Sequence, residues 1–142
     1  MLSKQSKYAI RGVLYLAIYA NEKNKLGSTE VGAQANIPAP FLAKIFQKLS
    51  RENLIISMKG PNGGFYLSEK ELSNSLLDII ECIDGLETFN TCFIGLPHCS
   101  DNNPCSIHHL AAPWRDQLVA ELKVKTIAEM AEDVKSGNSR IF

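Results

Sequence analysis

"IPAPFLAKIFQKLSRENLIISMKGPNGGFYLS" (Ile37–Ser68) carries two structural signals in succession. The first is helical. Pro38 and Pro40 push the residues before them out of the helical region, and Pro40 itself suits a first helical turn. From there Leu42, Ile45, Phe46 and Leu49 recur at i, i+3, i+4 and i+7, which gathers them into one apolar stripe. Lys44, Gln47, Lys48 and Arg51 repeat that spacing on the opposite side. The second signal is extended. Leu54–Ser57 and Phe65–Leu67 are short strand-like runs, and "KGPNGG" between them is a turn with three glycines and a proline.

Working upstream, "STEVGAQAN" begins with Ser28 and Thr29, good N-cap residues, and places Glu30 in the first turn, where the helix dipole favours a negative charge. A short helix, a tight turn, a second helix with a polar-basic outer face and a glycine-rich hairpin form a winged helix-turn-helix. Further upstream, "SKQSKYAIRGVLYLAIYANEKNK" is helical, with Ile10, Val13, Leu14, Ala17 and Ile18 on one face and Lys4, Lys7 and Arg11 on another. Downstream, "SNSLLDIIECIDGLE" is a helix with a Ser75/Asp78 capping box, an inward stripe of Leu76, Ile79, Ile80 and Ile83, and Gly85 as its C-cap. "WRDQLVAELKVK" and "TIAEMAEDVK" are helical, and Thr126 with Glu129 makes a second capping box. The fold class is mainly α with a small β-hairpin wing: a winged helix-turn-helix plus C-terminal helices, to which the resemblance given below adds a dimerisation role.

Charge is segregated along the chain. The 142 residues balance fifteen basic against fifteen acidic side chains, yet residues 1–60 hold nine basic and three acidic ones. That half is net positive by six and the rest net negative by six, a cue for an oriented anionic partner. A basic stripe on one helix is usually only a solvated face. Here its context points to double-stranded DNA, because the second helix of such a unit enters the major groove and its N-terminal part reads base edges. The contact candidates are Pro38, Ala39, Phe41, Ala43, Lys44, Gln47 and Lys48 on that helix, with Lys59, Gly60 and Gly63 in a slim cationic wing tip. Lys4, Lys7, Tyr8 and Arg11 on the first helix suit phosphates, and Ser28 and Thr29 on the second complete the set of DNA-contact candidates.

The stretch "TCFIGLPHCSDNNPCSIHH" (Thr91–His109) holds all three histidines and three of the four cysteines. No secretion signal is visible, and the apolar run Val13–Ala20 is far below the ~20 residues needed to span a bilayer. The expectation is a cytoplasmic protein without membrane attachment, whose thiols stay reduced. That weakens a disulfide staple. Six residues separate Cys92 from Cys99, five separate Cys99 from Cys105, and two separate Cys105 from His108. A zinc site usually shows a tight C-x-x-C pair, which is missing, whereas looser spacing suits a loop wrapped around an iron–sulfur cluster. Cys82 reads as a small buried hydrophobe on its helix, and His98 and His109 as solvated loop residues.

These motifs, in this order over nearly the full length, resemble the Rrf-two (Rrf2) family of bacterial winged-helix transcription regulators. "KYAIRGVLYLA" resembles the family's first helix, the Ile37–Ser68 stretch its recognition helix and wing, "LLDIIECIDG" and the triple-cysteine loop follow in family order, and "TIAEMAED" resembles its last helix. The resemblance implies a homodimer built on a helix over roughly residues 106–124, a near-palindromic operator, and an iron–sulfur cluster on Cys92, Cys99 and Cys105. The family's iron–sulfur sensor implies a fourth ligand at His108, whereas its nitric oxide sensor takes a carboxylate from elsewhere in the chain. The cluster would be 2Fe-2S, with 4Fe-4S as the other form, and open to loss on isolation. The domains would be a DNA-binding unit over 1–68, a connecting helix over 69–90, a cluster loop over 91–109 and dimerisation helices over 110–142. The first Cys–Cys gap is one residue longer than in the family's iron–sulfur and nitric oxide sensors. Ala43 and Lys44 replace a Glu–Gln pair, and Lys59 stands where arginine is common. The implied function is a regulator, here a repressor and not an enzyme, whose operator affinity follows redox, nitric oxide or iron–sulfur status. The rivals are the same regulator with a zinc site or a thiol/disulfide switch, and an iron–sulfur or redox enzyme component, for which no nucleophile–base pair or phosphate loop is visible. Pro113 leaves two starts open for the dimer helix, near Ile107 or at the proline itself.

Overall fold

The computed structural model describes residues 2–141. Its elements, in order, are α1 (Lys4–Tyr19), α2 (Ser28–Ala35), α3 (Ala39–Arg51), β1 (Ile56–Met58), β2 (Gly64–Tyr66), α4 (Glu69–Leu72), α5 (Leu76–Asp84), a 3-10 turn (Leu86–Asn90), α6 (His108–Val124) and α7 (Ile127–Lys135). The apolar stripe of α3 is buried as its periodicity predicts: Leu42, Ile45, Phe46 and Leu49 all lie in the main core with Val13, Leu16 and Val31. Fully burying one such side chain contributes about 1.5–3 kcal/mol.

The turn between α2 and α3 depends on backbone approach. Asn36 closes α2 in the left-handed conformation (φ 53°), and the Ile37 amide donates to the Gly32 carbonyl at 2.9 Å. A Cβ on Gly32 would stand 2.6 Å from the Ile37 carbonyl oxygen, a backbone atom that cannot swing aside. We therefore expect Gly32→Ala to cost about 1–3 kcal/mol by forcing α2 and α3 apart, read as a lowered urea midpoint. An unchanged midpoint would show that the turn relaxes freely.

The wing is a two-stranded antiparallel hairpin with Ile56 opposite Tyr66, Ser57 opposite Phe65 and Met58 opposite Gly64. Leu26, in the loop before α2, exchanges both backbone hydrogen bonds with Phe65 (3.1 and 2.8 Å) and so anchors the wing to the helical body. At the tip the Gly63 amide donates to the Gly60 carbonyl at 2.9 Å, and a side chain on Gly63 would collide with the Met58 carbonyl.

The core continues past residue 68. Ile79 of α5 and Ile127 of α7 are buried among residues of α1–α3, and α7 packs back on α1. A second cluster of Leu77, Ile80 and Phe89 takes Val119 and Leu122 from one face of α6. Both anticipated capping boxes form: Ser75 Oγ accepts from the Asp78 amide at 3.2 Å, and Thr126 Oγ1 from the Glu129 amide at 3.1 Å. The N-cap of α2 differs from the reading above. It is Gly27, with no side-chain cap bond, and Ser28 is the first helical residue, because pairing of Leu26 with Phe65 holds the preceding backbone extended. α6 begins at His108 and runs through Pro113 without ending.

Candidate functional site: a thiol cluster and a basic helix

The loop after α5 makes its own turns. The Gly95 amide donates to the Cys92 carbonyl at 3.0 Å, with Gly95 at φ 82°. Ser100 and Asn103 exchange backbone bonds at 3.1 Å, and the Asn103 side-chain amide donates to the His98 carbonyl at 2.9 Å. The His108 amide then donates to the Cys105 carbonyl at 3.1 Å and leads into α6. These turns bring together three thiols far apart in sequence: the sulfurs of Cys92, Cys99 and Cys105 lie within 4.8 Å of one another. The Cys105 amide reaches the Cys99 sulfur at 3.4 Å. His108, buried at 8 % exposure, sets Nδ1 at 3.1 Å from that sulfur and Nε2 at 2.8 Å from Asp101 Oδ1. His98 and His109 are exposed, and Cys82 packs half-buried against the core, where burial pushes its thiol pKa up.

The thiols are electrostatically unequal. Partial burial raises the Cys92 pKa, but hydrogen bonds from the Leu96 and Ile94 amides and from the other two thiols outweigh it and bring the group down to about 7. At Cys99 the Cys105 amide acts to lower the pKa, and burial together with the neighbouring thiols reverses this and raises it. A lowered thiol yields a thiolate, the form that binds soft metals. A tetrahedral ion with metal–sulfur bonds of ~2.3 Å needs sulfurs about 3.8 Å apart, within the spacing found here. Three thiolates and one imidazole suit zinc or the iron of a cluster.

The predicted DNA-contact residues divide. Lys44, Gln47 and Pro38 are exposed on α3 with Phe41, while Ala39 and Ala43 are half-buried on its flank. Lys59 and Gly60 are exposed at the wing tip, and Gly63 is half-buried beneath it. Lys4 and Lys7 are exposed on α1, Lys4 sitting 5.7 Å from the centre of the Tyr8 ring, and Tyr8 itself packs against the core. Thr29 is exposed and Ser28 half-buried at the start of α2. Two cations have other partners. The Arg11 guanidinium donates to the Ala35 carbonyl at the end of α2, and Lys48 Nζ donates to the Ile83 carbonyl at 3.3 Å, at the end of α5. Asp84, beside Ile83, accepts from the Ser3 amide at 3.0 Å and from the Ser3 hydroxyl. Partial burial works to raise the Asp84 pKa, but those bonds, with Ser6 and Lys48, hold it below the usual carboxylate range.

The chain matches the family model described as "Iron-dependent Transcriptional regulator", Rrf2, over residues 2–133. The chain belongs to the Rrf2 family. A helix-turn-helix-type transcriptional regulator of Aquifex aeolicus is 32% identical over 133 residues, 92% of this chain and 90% of that one. The regulator IscR of Vibrio vulnificus is 25% identical over 135 residues, 93% of this chain and 77% of that one. Among solved structures, CymR, the global cysteine regulator of B. subtilis, superposes with a TM-score of 0.73 at 17% identity, covering 93% of this chain and 96% of that one. In this Rrf2 chain, two features of the site went unread in the sequence. One is Asp101, whose only signal in the sequence is its place between two cysteines. The other is an apolar face on α6, where Leu110, Trp114 and Leu118 are 73, 82 and 42 % exposed. Their i, i+4, i+8 spacing was available. Together with Phe89, Phe93 and the three thiols they border a cleft of about 600 Å³.

Proposed function

We propose that this Rrf2 transcriptional regulator is a DNA-binding homodimer whose operator affinity is controlled by an iron–sulfur cluster on Cys92, Cys99 and Cys105, with His108 as fourth ligand. The convergence of the three sulfurs within 4.8 Å, between the DNA-reading half and α6, carries this reading. When bound, the cluster supplies a redox-active, labile link between three points of one loop. This chain's residues do the rest. Cys92 is tied to the end of α5 through the 3-10 turn, and Cys105 to the start of α6. The end of α5 is in turn bonded to Lys48 of α3 and Ser3 before α1. Ordering the loop therefore fixes the angle between the recognition helix and the dimer helix. In a dimer that angle sets the separation of the two recognition helices, which a palindromic operator requires at about 34–36 Å. The exposed α6 face supports the dimer, since an isologous contact needs a self-complementary apolar patch.

The tight sulfur spacing also favours a second reading, a mononuclear zinc in the same ligand set. Anaerobic purification separates the two. The cluster reading expects brown protein with iron and acid-labile sulfide, and an operator affinity that changes when the cluster is removed. Colourless protein with one zinc per chain would replace it with the second.

A further inference from the structure

His108 is held on both nitrogens, by the Cys99 sulfur on one side and by a carboxylate on the other. Asp101, 92 % exposed, has no packing reason for its position. The loop that presents it is stitched by the Ser100–Asn103 backbone pair, by the Asn103 amide on Ser100 Oγ at 3.2 Å, and by the Asn103 side chain on the His98 carbonyl. An ionised carboxylate only accepts hydrogen bonds. In the neutral imidazole its contact with Nε2 at 2.8 Å therefore places the single ring proton there and leaves the Nδ1 lone pair facing the Cys99 sulfur. Metal-binding histidines commonly have this carboxylate partner, which fixes the tautomer and makes the ligating nitrogen more basic.

We infer that Asp101 is a positioning residue for His108: it fixes the Nε2–H tautomer, so that Nδ1 is the nitrogen offered to the metal beside Cys99. The inference rests on the reading of the thiol cluster as a metal site. It adds a fifth residue to that site, one whose atoms are not themselves ligands. It also predicts which ring nitrogen binds, a choice that the four-ligand set leaves open.

The first measurement needs no metal. In reduced, metal-free, full-length protein with nitrogen-15-labelled histidine, His108 is expected to show a protonated Nε2 and a bare Nδ1. Asp101→Ala should convert this to exchange between two tautomers, and Asp101→Asn, which keeps a carbonyl acceptor, should restore the single form. A protonated Nδ1 in the wild type, or no change in Asp101→Ala, overturns the inference. The second measurement titrates Zn(II) anaerobically against a chromophoric chelator. Asp101→Ala should weaken binding by about 10- to 100-fold, and should have no further effect in a His108→Ala background. An equal loss in both backgrounds would make Asp101 an independent charge or ligand, and the inference fails. Wild-type protein that binds neither Zn(II) nor a cluster would sink the metal-site reading, while the imidazole spectrum still decides what Asp101 does. Asp101 is exposed, so an unchanged thermal midpoint in the apo variants serves as the control for folding.

Discussion

Leu110→Glu combined with Trp114→Glu is expected to give a folded monomer that has lost about 10²- to 10⁴-fold in operator affinity. The argument starts from the two faces of α6. Val119 and Leu122 pack inward on Leu77, Ile80 and Phe89, and they hold the helix to its own chain. Leu110, Trp114 and Leu118 lie outside that cluster and remain exposed, as does Val124 further along. Such a run of large apolar side chains on one helix face is costly in water unless another surface covers it. A second copy offers the same run and satisfies both at once. Charging two of its members removes that gain without touching the inward face, so circular dichroism should be unchanged while the mass by light scattering halves. A half-site bound by one protomer then lacks its tethered neighbour, and the avidity is lost. Retention of the dimer would move the interface elsewhere. A monomer with undiminished operator affinity would instead detach dimerisation from DNA reading.

What could be read in advance, and what could not, follows the range of the interactions concerned. The stripe of α3 was legible because burial of Leu42, Ile45, Phe46 and Leu49 is set by a local 3.6-residue period. The capping boxes at Ser75/Asp78 and Thr126/Glu129 were legible for the same reason, each being complete within four residues. The N-cap of α2 was misplaced by one residue, since Leu26 is held by Phe65, thirty-nine positions away, and no local rule records that. Lys48 looked equivalent to Lys44 on the α3 pattern. Only the packing of α5 across α3, thirty-five residues on in sequence, gives its ammonium a carbonyl to bind. The thiol cluster was half legible. Residue types and spacing pointed to a metal, whereas convergence of the sulfurs and the Asp101–His108 contact depend on turns such as Cys92–Gly95 and Ser100–Asn103.

This difference between Lys44 and Lys48 yields the second large expected effect. Lys44→Ala with Lys59→Ala should flatten the salt dependence of operator binding, and Lys48→Ala should not. Each phosphate contact adds about 0.9 to the slope of log K against log salt. Two lysines per protomer, doubled in a dimer, should therefore reduce its magnitude by about 3.6. Lys44 lies on the exposed face of α3 and Lys59 is exposed on the wing, both with free access to a duplex. Lys48 Nζ bonds the Ile83 carbonyl, and its charge also helps to hold Asp84 ionised at the junction of α1, α3 and α5. Its removal should leave the slope of wild type. What it should change is the difference in operator affinity between metal-loaded and metal-free protein, because Lys48 joins the recognition helix to the element from which the cysteine loop departs. Titration of a labelled operator at several salt concentrations, with both forms of each variant, measures the two effects together. A slope lowered by about 1.8 in Lys48→Ala, the effect of one phosphate contact per protomer, would return that lysine to the DNA interface. A slope untouched by the Lys44/Lys59 pair would remove α3 and the wing from it.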